Sequence, residues 1–162
     1  MWSEEIGLTP TRSIAIDLLH TYHIGSLLVW TREALWAMVN SGSWSAGQTN
    51  RDEQIQVAVG ALKAELFHFY SVYDQEHPGE PITRVSKFTP KKLGTSEKHK
   101  LRFKAMETWG LALFVLQTLE KRYHVVGAQG SRFLACGRHL LTFAHDLKIL
   151  VPTFQRCSKT NS

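Results

Sequence analysis

The chain has 162 residues, 43% hydrophobic and 20% charged, the size and balance of one globular domain rather than a disordered tract. Its two cysteines, Cys136 and Cys157, exclude a disulfide scaffold and fit a reducing compartment. The net charge of +5 conceals a gradient: residues 1–83 carry four basic and ten acidic groups, and residues 84–162 carry fifteen basic and four acidic. Such polarity points to a partner of definite sign, or to copies whose acidic and basic halves meet.

The first residues, M-W-S-E-E-I-G, lack the basic flank and apolar run of a signal peptide, and Trp2 excludes N-myristoylation at this start. The most apolar windows, Ile24–Trp30 and Trp109–Leu116, are shorter than the roughly 20 residues that span a bilayer. The expectation is an intracellular protein, cytoplasmic or nuclear.

Thr9-Pro10 starts a helix, with Thr as cap and Pro in the first turn, and Ile14, Leu18 and Tyr22 follow at steps of four. Gly25-Ser26 then interrupts. Ser26 can cap a second helix bearing Leu28, Leu35, Met38 and Val39 on one side; alternatively Gly25 is tolerated inside one long helix at about 1 kcal/mol relative to Ala. Residues 41–49 form a loop by composition, and Trp44 within it either folds back over the core or stands out as an aromatic contact. Asn50 to Glu53 has capping-box spacing, and Ile55, Val59, Leu62, Leu66, Phe69 and Tyr73 recur with the period of an amphipathic helix until His77-Pro78-Gly79 ends it.

Residues 79–95 are a basic connecting loop, extended at Pro81 and Pro90 and anchored by Val85 and Phe88. Thr95 or Ser96 is the expected cap of a long central helix with Leu101, Ala105, Trp109, Ala112, Leu116, Leu119 and Tyr123 on one stripe, apolar on every side between Trp109 and Leu116, and stopped by Gly127. Ser131 is the expected cap of the last helix, with Phe133, Cys136, Leu140, Ala144 and Leu147 facing inward and Pro152 ending it. There is no internal repeat and no strand alternation. The predicted fold is all-α: one helical bundle of four to five helices over residues 1–152, with residues 153–162 as a flexible basic tail.

Arg84, Lys87, Lys91, Lys92, Lys98, Lys100, Arg102 and Lys104 lie within 21 residues, with Glu97 the only acid among them. Phosphate binding draws on such density, because each neutralised phosphate releases counterions. Lys98 and Lys100 would occupy the first turn of the central helix, where the macrodipole disfavours cations by a few tenths of a kcal/mol each, a local conflict of the kind that marks sites. The helix N-terminus would add amide donors, and Lys121, Arg122, Arg132 and Arg138 could extend the surface. The bland reading is a solvated lysine-rich loop. Only Phe88 and Phe103 interleave, so base stacking has little support.

A zinc site is the second constellation: His20-x-x-His23 and Cys136-x-x-His139 each pair ligands at i, i+3, and two such pairs on adjacent helices would close a tetrahedron. The competing reading makes Cys136 a small buried thiol on its apolar stripe. His145-Asp146 resembles the central pair of HD-type metal phosphohydrolases, but no Asp follows Asp146 to supply that family's later ligand. No nucleophile elbow, P-loop or paired-carboxylate motif is present.

The expected function is therefore non-catalytic nucleic-acid binding, RNA favoured, in a packaging or accessory role, with no cofactor unless the zinc pairs assemble. The alternative is a matrix-like scaffold that self-associates through complementary charge as a homo-oligomer and touches anionic membrane. In style the compact basic chain resembles small viral structural and accessory proteins, though no motif carries that likeness.

Overall fold

The computed structural model describes Tyr22, residues 25–95 and residues 97–150, with side chains as far as residue 146. The expected helix after Thr9-Pro10, the histidines His20 and His23, Ser96 and the tail from residue 151 lie outside the described residues. Within them the chain is all-α: α1 (Leu27–Asn40), α2 (Arg51–Glu76), a single turn α3 (Pro90–Leu93), α4 (Ala105–Arg122), a 3-10 segment (Tyr123–Gln129) and α5 (Gly130–Leu150). One isolated antiparallel bridge, Gly94 to His99, is the only β-type pairing among them. No helix among the described residues is long and apolar enough to cross a membrane.

α4 packs against α1, α2 and α5. Its Leu111, Ala112, Phe114, Val115 and Leu119 are buried beside Leu27, Ala34 and Leu35 of α1 and Leu62, Leu66 and Phe69 of α2. α2 follows its predicted stripe: Val59, Leu62, Leu66 and Phe69 are buried, and Ile55 and Tyr73 pack partly buried against them. Asn50 caps it, its side chain accepting from the Asp52 N–H. His77 follows the last turn, so the stop falls where expected. Trp44 folds back over the core, with its indole N–H on Glu65 at 3.1 Å and the Arg122 guanidinium 5.0 Å above its ring.

Helix ends depart from expectation in four places. Ser26 makes no side-chain cap and already has helical φ/ψ, so helical backbone runs through Gly25-Ser26 into α1, in line with the alternative in which a helix tolerates Gly25. α4 begins at Ala105, not after Thr95 or Ser96. Thr95 uses its hydroxyl in a turn instead, accepting from the Lys98 N–H at 3.1 Å, the local hydrogen bond that competes with helix at such residues. Regular α-helix ends at Arg122, and the chain tightens to 3-10 geometry before Gly127 breaks it at φ 77°. α5 starts at Gly130, which leaves Ser131 inside it rather than capping it.

α5 keeps part of its predicted stripe, with Phe133 and Leu140 packed partly buried against the core, but the inward face is turned away from Cys136. Gly137, Leu141 and Ala144 are buried, whereas Cys136 is exposed. The cause lies on α1. The Trp30 ring lies directly over Gly137, and its N–H donates to the Phe133 carbonyl at 2.9 Å. A Cβ on Gly137 would stand 2.2 Å from Trp30 Cζ2. Gly137→Ala is therefore expected to destabilise the fold by about 1–3 kcal/mol, because displacing a buried indole costs more than the roughly 1 kcal/mol gained in helix propensity. The midpoint of urea unfolding, with circular dichroism as readout, checks it.

Candidate polyanion-binding loop

The basic segment between α3 and α4 is a pinned hairpin, not a free linker. The Arg102 N–H donates to the Lys92 carbonyl at 3.1 Å, the Lys100 N–H to the Leu93 carbonyl at 2.6 Å, and the Thr95 N–H to the Lys98 carbonyl at 3.1 Å. Gly94 permits this close return: its φ is 92°, and a Cβ there would fall 2.3 Å from the Lys98 carbonyl oxygen. Leu93 and Leu101, one on each arm, are buried in the core, and Glu97 and Lys98 between them are exposed.

α1 holds the hairpin from below. The Trp36 N–H donates to the Leu93 carbonyl at 2.9 Å, and the Trp36 ring stacks on His99 with centroids 4.6 Å apart and planes 6° from parallel. His99 Nδ1 lies 2.9 Å from a Glu33 carboxylate oxygen; a carboxylate can only accept, so Nδ1 carries the proton. Arg32 Nε donates to the other Glu33 oxygen at 2.7 Å. Burial acts to raise the Glu33 carboxyl, but the hydrogen bonds from His99 and Arg32 and their charges outweigh it, and hold it below its ordinary value.

The sign of the resulting pH dependence follows. A carboxylate depressed in the folded chain adds stability above its unfolded pKa, and that contribution is lost as pH falls through the folded value. The hairpin is expected to loosen from α1 below about pH 4, where glutamate ordinarily begins to protonate. Smaller amide protection factors at Lys100 and Arg102 on acidification, with Glu33→Gln removing the acid step, are the measurement.

Six of the eight predicted cations belong to this unit. Lys91 and Lys92 are on α3, Lys98, Lys100 and Arg102 are on the turn and the returning arm, and Lys104 is at the cap position of α4. None of the six forms an ion pair with a carboxylate among the described residues. Lys92 Nζ donates to the Arg102 carbonyl at 3.0 Å and lies 5.6 Å from the centre of the Phe103 ring. The other two predicted residues stand apart: Arg84 is ion-paired with Asp74 of α2, and Lys87 is exposed on the extended approach.

Several expectations change here. Lys98 and Lys100 are not in the first turn of a helix, so the macrodipole conflict argued from their position does not exist. The true N-terminus of α4 is at Lys104, whose N–H is already taken by the Glu107 carboxylate at 2.9 Å. Arg122 pairs with Glu65 and Arg138 with Glu120, so neither extends the free positive surface. Phe88 is buried and stacks on Phe103 at 6.2 Å, an internal contact rather than a platform for bases. Glu33, Trp36 and His99 were not singled out from the sequence; the K-H-K run at Lys98–Lys100 was their only local signal.

Of the four zinc candidates, Cys136 and His139 are exposed on α5, and His20 and His23 lie outside the described residues. Exposure removes the buried-thiol reading of Cys136. It lines an open cleft of about 800 Å³ between α1 and α5, with Val29, Trp30, Glu33, Arg132 and Phe133. His145 and Asp146 are adjacent and exposed, 3.8 Å apart, with no further ligand beside them among the described residues.

No protein-family model matches the chain, no curated protein is detectably similar to it, and no solved structure matches it.

Proposed function

We propose that the protein is a non-catalytic helical nucleic-acid-binding protein, RNA favoured, acting through the hairpin of residues 91–104. One observation carries this reading: six cations stand on one pinned loop with no carboxylate partner among the described residues. Cations collected in this way repel one another, and only Lys92 has a side-chain bond that returns something to the fold. An anionic chain would neutralise them and release its own counterions. Because the hairpin is held by Trp36 and the buried Leu93 and Leu101, binding orders less backbone than a free linker would. RNA or single strands are favoured over a specific duplex site because no major-groove reading motif accompanies the loop.

The test is fluorescence anisotropy with labelled single-stranded RNA, with duplex DNA and anionic liposomes as competitors, across a salt series. Micromolar or tighter RNA binding with a steep salt slope, not competed by liposomes, supports the reading. Competition by liposomes alone assigns the loop to a membrane surface. No binding at low salt leaves it as a protein-contact surface, and self-association becomes the measurement to make.

A further inference from the structure

His99 stands between Lys98 and Lys100, yet its ring is turned inward onto Trp36 and Glu33. The charged groups around it come from each neighbouring element. Glu33 and Arg32 face it from α1. Lys98, Lys100 and exposed Glu97 flank it on its own loop, and Lys91 and Lys92 stand on α3, which forms the other arm of the hairpin. Arg132 of α5 shares a cleft with Glu33. Imidazole is the side chain that ordinarily changes charge between pH 5 and 8, whereas lysine and arginine stay cationic there.

We infer that His99 is a proton-linked positioning residue of the basic loop, so that binding of a polyanion takes up a proton. The inference rests on the polyanion reading above. When His99 is neutral, Glu33 places a negative charge under a loop that holds anions, with Arg32 as its charged partner. When His99 is protonated, its charge faces that carboxylate directly, the loop gains one positive charge, and the hydrogen bond to α1 becomes an ion pair. A phosphate beside Lys98 and Lys100 favours the protonated ring, and by reciprocity the protonated ring favours the phosphate.

A one-proton linkage changes affinity by at most tenfold per pH unit. Wild-type protein is expected to bind a labelled single-stranded RNA about three- to tenfold more tightly at pH 6 than at pH 8, at fixed ionic strength. The described histidines His68, His77, His124, His139 and His145 lie on other elements. His99→Gln should remove most of the pH dependence. His99→Arg, which can still stack on Trp36 and donate to Glu33, should bind at pH 8 about as well as the wild type does at pH 6, with a flat profile.

A purely structural role for His99 would not produce that gain at high pH. Wild-type binding that is independent of pH, or a slope retained in both variants, overturns the inference and leaves the polyanion reading intact. Absence of RNA binding at every pH and at low salt overturns both. Should His99→Gln fail to fold, the wild-type and His99→Arg profiles decide the matter between them.

Discussion

Replacing Lys91, Lys92, Lys98 and Lys100 together by glutamine is expected to weaken RNA binding by about 10²- to 10³-fold near 0.1 M salt, and to lower the slope of log affinity against log salt by about 3. Both figures follow from four lost phosphate contacts at roughly 0.7 counterions each on a single strand. Stability should hardly change. Lys91 and Lys98 are exposed, and Lys100 offers the core only its backbone N–H to Leu93. Lys92 has more to lose, since its Nζ bonds the Arg102 carbonyl and covers Phe103. A glutamine keeps part of that stem, and relief of repulsion among four cations offsets the rest. A melting temperature within about 3 °C of wild type is the expected result. Unchanged affinity in this variant would remove the loop from the binding surface. A large loss of stability would instead mean that the lysines serve the fold. Anisotropy across the salt series and thermal melts on the same preparations separate the two.

Trp36→Ala is expected to be the most damaging single change in this region, at about 3–5 kcal/mol of folding stability. Trp36 is almost wholly buried on α1, and it makes three contacts at once. Its ring fills core volume, its N–H satisfies the Leu93 carbonyl in a buried setting, and its face supports His99. Truncation removes the apolar burial, leaves a cavity and strands the carbonyl. Trp36→Phe separates these effects. It keeps an aromatic face for His99 but leaves the carbonyl without its donor, at a cost of about 1–3 kcal/mol. The two variants, compared by urea unfolding, should therefore rank alanine well below phenylalanine. RNA affinity should fall in both, because the loop that presents the cations would lose its anchor. Wild-type stability in Trp36→Ala would contradict the packing described here.

Much of this was legible in the sequence, for local reasons. The period of α2 marks one face because its neighbours lie to one side only, and Val59, Leu62, Leu66 and Phe69 of that stripe are buried, joined by Ala58 and Tyr70 beside it. Asn50 and His77 bound that helix through hydrogen bonds to adjacent backbone, which depend on nothing distant. Val85 and Phe88 stood out as anchors because apolar residues in a polar connection need a reason to be there, and both are buried. The cation cluster was legible as composition, since charge density is a property of order along the chain.

Other features were not. Thr95 carries the chemistry of a helix cap and of a turn alike, and the choice depends on Leu93 and Leu101 both being drawn into the core. Cys136 sits at a helical interval from Phe133 and Leu140, yet Gly137 faces α1 instead, because only a residue without a side chain fits under the Trp30 ring. Arg122 and Arg138 looked as free as the loop lysines until the fold brought Glu65 and Glu120 beside them. His99 read as one more residue in a basic run, although its partners Glu33 and Trp36 lie more than sixty residues away.

The sequence by itself determined the helical class, the course of α2, the anchoring of the long connection and the sign of its charge, because propensity, periodicity, capping and composition act within a few residues. Only the tertiary structure decided which cations are neutralised, where α4 begins, which face α5 buries and what holds the basic loop. Those outcomes turn on side chains distant in the chain competing for the same space, the same carbonyl or the same carboxylate.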